Sequence, residues 1–464
     1  MEFTAEQLKE WSGGIWTREP AEPIRGFAFD SRQIGPGELF VCLKTDRRDG
    51  HDFIGNAAAA GAGAALVARE CSEIDLPQLV VADPLCAFGK MAAVHRENFE
   101  GPVIGVTGSC GKTSTKDLLA LLLGEAGEVH ATEGNFNNLI GVPMTLLGLD
   151  PSRHKCAVIE AGINQPGEME KLAAMIQPTH AIVTLIAPAH LEQLGDLEGV
   201  AREKSILVRD LPHWGAAILP ASCLLYEDFY DLTAPIFKVA PLEDAGVEDA
   251  DLRFRVEQQD SQTVLHLESE RVSKIFRTRK ISAGIAANAA LAIQTAFLLD
   301  VSEEKIQERL SNWKPSSFRG EIVDCGARQF YVDCYNANPA AMEDSLEFFR
   351  ELSAGSEGRL YVIGCMGELG SESESYHRDL GRRICLDSGD RMLVTGERGE
   401  ARAFCEGLLA AGNSADQVSV FSRTEEIEAD VASHRGFVFL KGSRVYGLES
   451  LLEKPLAGEG GESC

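Results

Sequence analysis

The stretch GVTGSCGKTSTK, Gly105 to Lys116, decides the fold. It continues the apolar run Val103–Thr107, which reads as a strand, and leads into the periodic segment Thr113–Ala126, which reads as a helix. A strand, a glycine-rich turn and a helix in that order present successive backbone N–H groups to one concavity, with a helix N-terminus behind it. That is a phosphate cradle. The stretch is not a literal G-x-x-x-x-G-K-[ST], because Val106 stands where the first glycine would be and the glycines fall at 105, 108 and 111. The predicted nucleotide-binding set is Gly108, Ser109, Cys110, Gly111, Lys112, Thr113 and Ser114, with Lys112 reaching the terminal phosphates and Thr113 offering its hydroxyl to Mg²⁺. A plain glycine-rich turn would not explain why Lys112-Thr113 opens an amphipathic helix.

Working outward, CAVIEA (Cys156–Ala161) and HAIVTLI (His180–Ile186) read as further buried strands separated by helices. Strands alternating with helices imply a parallel, doubly wound sheet. Asp251–Leu267 alternates polar and apolar residues and suggests a small antiparallel insert, and Ser282–Leu299 is an alanine-rich helix. Upstream, Glu38–Leu43, Ala64–Ala68 and Gln78–Ala82 read as strands, and Gly55–Ala65 and Pro84–Asn98 as helices. Downstream, Phe330–Asp333, Arg359–Gly364, Arg391–Thr395 and Gly436–Leu440 read as strands of a second α/β unit. Breaks at Gly101-Pro102 and around Pro315–Gly320 divide the chain. The expectation is an α/β protein of three domains: an N-terminal α/β domain over 1–99, a central P-loop domain over 100–315, and a C-terminal Rossmann-like domain over 316–464. The low-complexity tail Gly458–Cys464 is expected to fray.

The chain has 464 residues and a formal net charge of −27. That charge argues against a broad nucleic-acid or anionic-membrane surface, although local anion pockets are compatible with it. Twelve cysteines are scattered with no C-x-x-C pair, and no export signal opens the sequence, so a reduced, cytoplasmic chain is expected. No apolar run approaches the roughly 20 residues of a membrane span. Cys110 lies inside the cradle, where an exposed thiol beside a helix N-terminus would favour its thiolate.

Glu160 closes the strand CAVIE. A carboxylate there could be an ordinary loop residue, but strand C-termini are where open α/β sheets bind ligands, so metal ligation is the stronger reading. The stretches TGSCGKT, NFNNLIGVP (Asn135–Pro143), CYNANPAAM (Cys334–Met342) and GCMGELGSES (Gly364–Ser373) together resemble the Mur ligases, ATP-dependent amide-bond-forming enzymes. The resemblance covers nearly the whole chain. It is nearest to the branch that adds D-alanyl-D-alanine to UDP-N-acetylmuramoyl-tripeptide in cytoplasmic peptidoglycan precursor synthesis.

The resemblance implies a carboxylate phosphorylated by ATP and an acyl phosphate displaced by an amine. It assigns His190, in APAHLEQLG, to metal beside Thr113 and Glu160. It also reverses the reading of Lys204, in VAREKSILV. As a bare helix lysine it would be a solvated charge; here it matches a lysine carbamylated in the family, able to help hold a second Mg²⁺. The family's following glutamate is Ile206. Lys112, His190 and Lys204 are thus the implied catalytic groups. Asn288 matches an asparagine near adenine, although the Gly-x-His that commonly precedes it reads Ser282-Ala283-Gly284. Arg319 resembles an arginine that reaches ATP phosphates, and Asp333 a ribose-contacting aspartate, with Val332 where a second aspartate often stands.

The segment FDSRQIGPGELFVCLKTDRRDGHDFI resembles the UDP-sugar-binding domain of this branch, marked by Ser31-Arg32 and Asp49-Gly50-His51. Arg32 offers a planar fork for a diphosphate or uracil, or is a surface arginine. Asn138 is read as a substrate contact, and Asn137 as either a contact or a turn cap. For the dipeptide, Asn336, Asn338 and Glu368 are candidate contacts that could equally cap turns, and His377 matches the family without a derivable role. A monomer is expected. Folylpolyglutamate synthetase is a rival with the same loop, but DSRQIGPGELF is foreign to it. A non-catalytic nucleotide-binding paralogue is opposed by the joint presence of Lys112, Thr113, Glu160, His190 and Lys204.

Overall fold

The computed structural model describes residues 1–45, 48–125, 127–244, 249–269 and 273–452. Ala126, the last residue of the predicted 113–126 helix, and the tail 458–464 lie outside them. Three sheets follow one another along the chain, each flanked by helices, giving three α/β domains.

Among the described residues the central sheet has nine strands. Their spatial order is Ser273–Arg279, Gln262–Glu268, Leu252–Gln258, Ile236–Pro241, Ala216–Pro220, His180–Val183, Val103–Thr107, Cys156–Glu160 and Val129–Ala131. From Ile236–Pro241 to Val129–Ala131 every neighbouring pair is parallel. The Val103–Thr107 strand lies between two strands that come later in the chain, so its C-terminal end is a topological switch point, where such sheets bind ligands. The expected antiparallel segment is present and is continuous with the central sheet. Leu252–Gln258 pairs in parallel with Ile236–Pro241, so the hairpins prolong the main sheet.

The N-terminal sheet is small, with Ala64–Val67 at its centre between parallel neighbours Leu39–Val41 and Gln78–Val80. Helix Pro84–Glu97 begins where Asp83 caps the amides of Leu85 and Cys86 at 2.9 and 3.1 Å, with Pro84 in the first turn. Its buried face, including Phe88, Met91 and Ala92, shares one apolar core with Leu172 and Ile176 of the central domain. His95 bonds the Leu149 carbonyl at 2.8 Å, and Arg96 donates to the carbonyls of Ile176 and Gln177 at 2.9 and 2.8 Å. The helix therefore clamps the first domain to the second. The break at Gly101-Pro102 separates sheets, not cores.

In the C-terminal sheet the order is Glu321–Cys325, Arg328–Asp333, Gly436–Lys441, Leu360–Gly364, Arg391–Thr395 and Val418–Phe421, all parallel after the first hairpin. Tyr331, Phe349 and Phe439 pack beneath it; Tyr331 and Phe439 stack at 5.9 Å and Phe349 meets Phe439 at 5.2 Å. Their burial is the main apolar driving force for this unit, about 2–3 kcal/mol for each ring. The register sets Asp333 directly beside Lys441 at the strand ends. The connection from the central domain turns at Phe318 and Gly320, both with left-handed backbone, and the Ser316 hydroxyl is bonded to Asp117 on the helix behind the cradle.

Candidate active site

The Lys112–Leu123 helix starts directly after Gly111. Gly108 and Gly111 have φ of +146° and +78°. A Cβ at either position would also run into a neighbour, the Thr184 hydroxyl for Gly108 and the Asn288 amide for Gly111. Both conformation and space therefore demand glycine. The turn is fastened from the next strand. Thr184 donates to the Cys110 carbonyl at 2.5 Å, and Ser109 N–H donates to the Leu185 carbonyl at 2.8 Å. The Ser109 hydroxyl donates to Ala187 O at 2.7 Å and accepts Ala187 N–H at 3.0 Å, so it serves the loop itself.

Lys112 bends back so that Nζ donates to the Gly108 carbonyl at 2.8 Å. Burial holds its pKa below the usual lysine value, with Glu160 pulling the other way. Thr113 donates to Glu160 Oε2 at 2.9 Å, and the Asn137 amide donates to Oε1 at 2.7 Å. Glu160 is 1% exposed and makes no ion pair among the described residues. A buried carboxylate beside a hydroxyl, with no cation of its own, is a donor set suited to a hard cation such as Mg²⁺. His190 follows the neighbouring strand on a left-handed backbone, φ +55°, and its Nδ1 meets Glu368 Oε2 at 2.6 Å across the domain boundary. That contact holds the Glu368 carboxyl below the ordinary range.

A cavity of about 650 Å³ opens between the central and C-terminal domains. It is lined by Ser109 to Ser114, Asn138, Glu160, His190, Asn288, Arg319, Asp333, Asn336 and Asn338, so most of the sequence-predicted residues meet on one surface. Several carry local duties as well. Asn138 Oδ1 accepts the amides of Ile140 and Gly141, capping the helix that follows. Asn338 Oδ1 caps its own helix through Ala341 N–H at 2.9 Å, while its amide donates to the Ser109 carbonyl at 3.3 Å and so ties the C-terminal domain to the cradle. Asn336 Oδ1 accepts from Ala337 N–H at 2.8 Å. The Arg319 guanidinium lies 3.8 Å over the Tyr335 ring, which aims it at the cavity.

Other predicted residues stand off the cavity wall. Gly108 contributes its backbone. Lys204 is 1% exposed, and burial drives its amine far below the ordinary lysine range, with the Lys112 charge acting in the same direction. Glu368 reaches the site through His190. Arg32 is exposed and forks onto Asp30, at 2.6 Å for the shortest contact, and Ser31 is its neighbour in that turn. Phe29 meets Phe136 edge-to-face at 6.2 Å, which sets this turn beside the loop holding Asn137 and Asn138. His51 proves structural: Nδ1 contacts Asp49 at 2.6 Å and Nε2 accepts from Ala68 N–H at 3.0 Å. His377 likewise accepts from Met366 N–H at 2.9 Å and bonds the Ser373 carbonyl at 2.7 Å, bracing the loop that bears Glu368. Cys110 does not meet the condition for a favoured thiolate. It is partly buried, and burial pushes its thiol up to about 11 despite the nearby Lys112.

The sequence marks Lys441 only as part of the loop KGSR (Lys441–Arg444) after the strand FVFL, a candidate for binding a small zwitterion, and does not mark Asp344. Lys441, 1% exposed, bonds Asp333 Oδ2 at 2.5 Å and fixes that carboxylate at the cavity edge. Asp344 reaches across to the start of helix Ala283–Leu298. Neither contact carries a motif. Strand pairing brings the first into place and domain contact the second.

A switch-point phosphate cradle, a buried carboxylate for a cation and a second α/β domain closing over both define a nucleotide-driven ligase fold, and the chain belongs to the Mur ligase family. Residues 23–95 match its catalytic domain, 106–296 its middle domain and 318–444 its glutamate ligase domain. The chain is 34% identical over 428 residues to the UDP-N-acetylmuramoyl-tripeptide–D-alanyl-D-alanine ligase of Escherichia coli (strain K12), covering 91% of this chain and 92% of that one. The enzyme of that name from Bacillus subtilis (strain 168) is 31% identical, with 94% of each chain covered. Among solved structures, MurF from Acinetobacter baumannii superposes with a TM-score of 0.85 at 30% identity, covering 97% of this chain and 98% of that one. MurF ligase from Thermotoga maritima in complex with ADP gives 0.79 at 25% identity, over 92% and 96%.

Proposed function

We propose that this chain joins D-alanyl-D-alanine to UDP-N-acetylmuramoyl-tripeptide, consuming ATP and releasing ADP and phosphate, in peptidoglycan precursor synthesis. The observation that carries the reading is the convergence on one cavity of the cradle, the Thr113–Glu160 pair and the C-terminal residues Arg319 and Asp333.

In this reading domain 1–99 holds the UDP end of the tripeptide substrate through Ser31 and Arg32, with Asn138 beside them. Domain 100–315 holds ATP, and domain 316–464 delivers the dipeptide past Asn336, Asn338 and Glu368. Backbone N–H groups of the cradle and Lys112 hold the phosphates and take up charge as the substrate carboxylate attacks the γ-phosphorus. ADP leaves, and an acyl phosphate remains. The dipeptide amine then attacks the acyl carbon, an amide bond forms, phosphate departs and the amine gives up its proton. Arg319 follows the phosphate from the closing domain, and closure keeps water from the acyl phosphate.

Thr113, Glu160 and His190 would hold Mg²⁺, which when bound screens the repulsion between the phosphates and the incoming carboxylate. Lys204 is read as carbamylated. Carbamylation requires a neutral amine, and burial favours that form here. The carbamate would be an anion close to Lys112, able to help hold a second Mg²⁺. No helix among the described residues is long and apolar enough to cross a membrane. The reading places the enzyme in the cytoplasm as a monomer.

The test is product formation with ATP and Mg²⁺. ADP release together with the UDP-linked pentapeptide, only when both acceptor and dipeptide are present, is the expected result. ADP release indifferent to either substrate would overturn the reading.

A further inference from the structure

The cradle fixes the phosphate end of the cavity, and the opposite requirement is a place for the base. Asn288 packs against Gly111, and the first turn of its helix, at Gly284, lies four residues or about 6 Å back along the axis. There the cavity wall becomes apolar, with Val239, Pro241, Phe254 and Ile285, a surface suited to a flat ring. One charged group stands on the wall at the start of that helix. Asp344, from helix Pro339–Leu352 of the other domain, accepts Gly284 N–H on Oδ1 at 2.7 Å, and the Ser282 hydroxyl also bonds it. Its entry depends on the bare glycine, since a Cβ at 284 would stand 2.7 Å from Asp344 Oδ2.

A carboxylate is an acceptor only, with about four lone-pair sites, so these two donors leave capacity unused. Burial raises the carboxyl above the ordinary aspartate value, and the bonds from Ser282 and Gly284 draw it back down. A ligand edge carrying N–H is stabilised there, and one carrying a carbonyl oxygen is opposed.

We propose that Asp344 selects the base of the nucleotide, accepting a hydrogen bond from the 6-amino group of adenine and rejecting 6-oxo purines. This rests on the reading of the cavity as an ATP site. It makes the C-terminal domain a reader of the base as well as a carrier of the second substrate, so closure and base recognition are one event.

The test is calorimetric binding of ATP, ITP and purine riboside triphosphate, with Mg²⁺ and without the other two substrates. The wild type should prefer ATP over both by about tenfold or more. In D344N the amide oxygen must keep the Gly284 N–H, which turns the NH₂ toward the ligand. The ATP-over-ITP ratio should then fall by about tenfold or more, chiefly through tighter ITP binding. D344A should lower the ratio by weakening ATP binding while ITP binding, freed of the repulsion, becomes no weaker. Equal weakening of ATP and ITP in both variants would mark Asp344 as a helix cap and overturn the proposal, as would a wild type indifferent to the 6-substituent. Selective ATP binding without ligated product would instead overturn the function proposed above and leave this inference standing.

Discussion

The two walls of the cleft are built in opposite ways. The central wall is local: Gly108 to Ser114 are consecutive, and the groups that fasten them sit on the adjoining strand ends. The C-terminal wall is assembled over distance. Lys441 pairs with Asp333 across 108 positions, and Asn338 reaches Ser109 across 229. The first wall exists as soon as one strand–loop–helix unit folds. The second exists only when its own sheet is in register and the domain has closed. Damage to the first should therefore abolish chemistry, and damage to the second should mainly weaken nucleotide capture.

The largest effect should come from the central wall. E160Q removes the buried anion beside Thr113 and should lower turnover about a thousandfold, read as pentapeptide formation at saturating substrates. A loss confined to the KM for ATP would instead put Glu160 among simple binding groups. Next, K204M keeps the bulk of a side chain that is 1% exposed but cannot form a carbamate. Turnover should fall about a hundredfold, and a carbamate carbon signal seen by NMR with ¹³C-bicarbonate in the wild type should vanish. No such signal in the active wild type would remove Lys204 from the chemistry.

Across the cleft, K441M strands Asp333 without its buried cation. The expected result is a KM for ATP raised about tenfold, a smaller change in kcat, and earlier unfolding of the C-terminal domain, since breaking a buried pair costs about 3–5 kcal/mol. An effect on kcat as large as that of E160Q would erase the contrast between the walls. The smallest effect should be that of R32A, at an exposed ion pair on the first domain. The KM for the UDP-linked substrate should rise a few-fold, the KM for ATP should not move, and stability should stay within about 0.5 kcal/mol.

The same contrast explains what could be read from the sequence. The cradle, Glu160 and the alternation of strands and helices are periodic or contiguous features, and they led to the parallel sheets and the switch point. The pairing of Lys441 with Asp333 and the reach of Asp344 had no such signal, because they arise from strand register and domain contact. The antiparallel segment was visible as alternation, but not its parallel junction with Ile236–Pro241, since a register between strands leaves no periodic trace. For Asn338 and Asn336 the sequence left contact and capping as alternatives, and for Asn138 it favoured contact; the structure shows capping or turn bonds for each, at positions that also line the cavity. The departure at Ser282-Ala283-Gly284 looked like a missing contact. In the fold it is the opening through which Asp344 arrives.

The central claim is that the phosphate held at the cradle passes to a carboxylate before the amine arrives. It is tested most directly by labelling the reacting carboxylate of the UDP-linked tripeptide with ¹⁸O and analysing the phosphate released during turnover with D-alanyl-D-alanine. The account predicts one ¹⁸O transferred into each phosphate, because the carboxylate oxygen that attacks ATP leaves with it. Phosphate free of the label, with pentapeptide still formed, would contradict the acyl phosphate and with it the assignment of both walls.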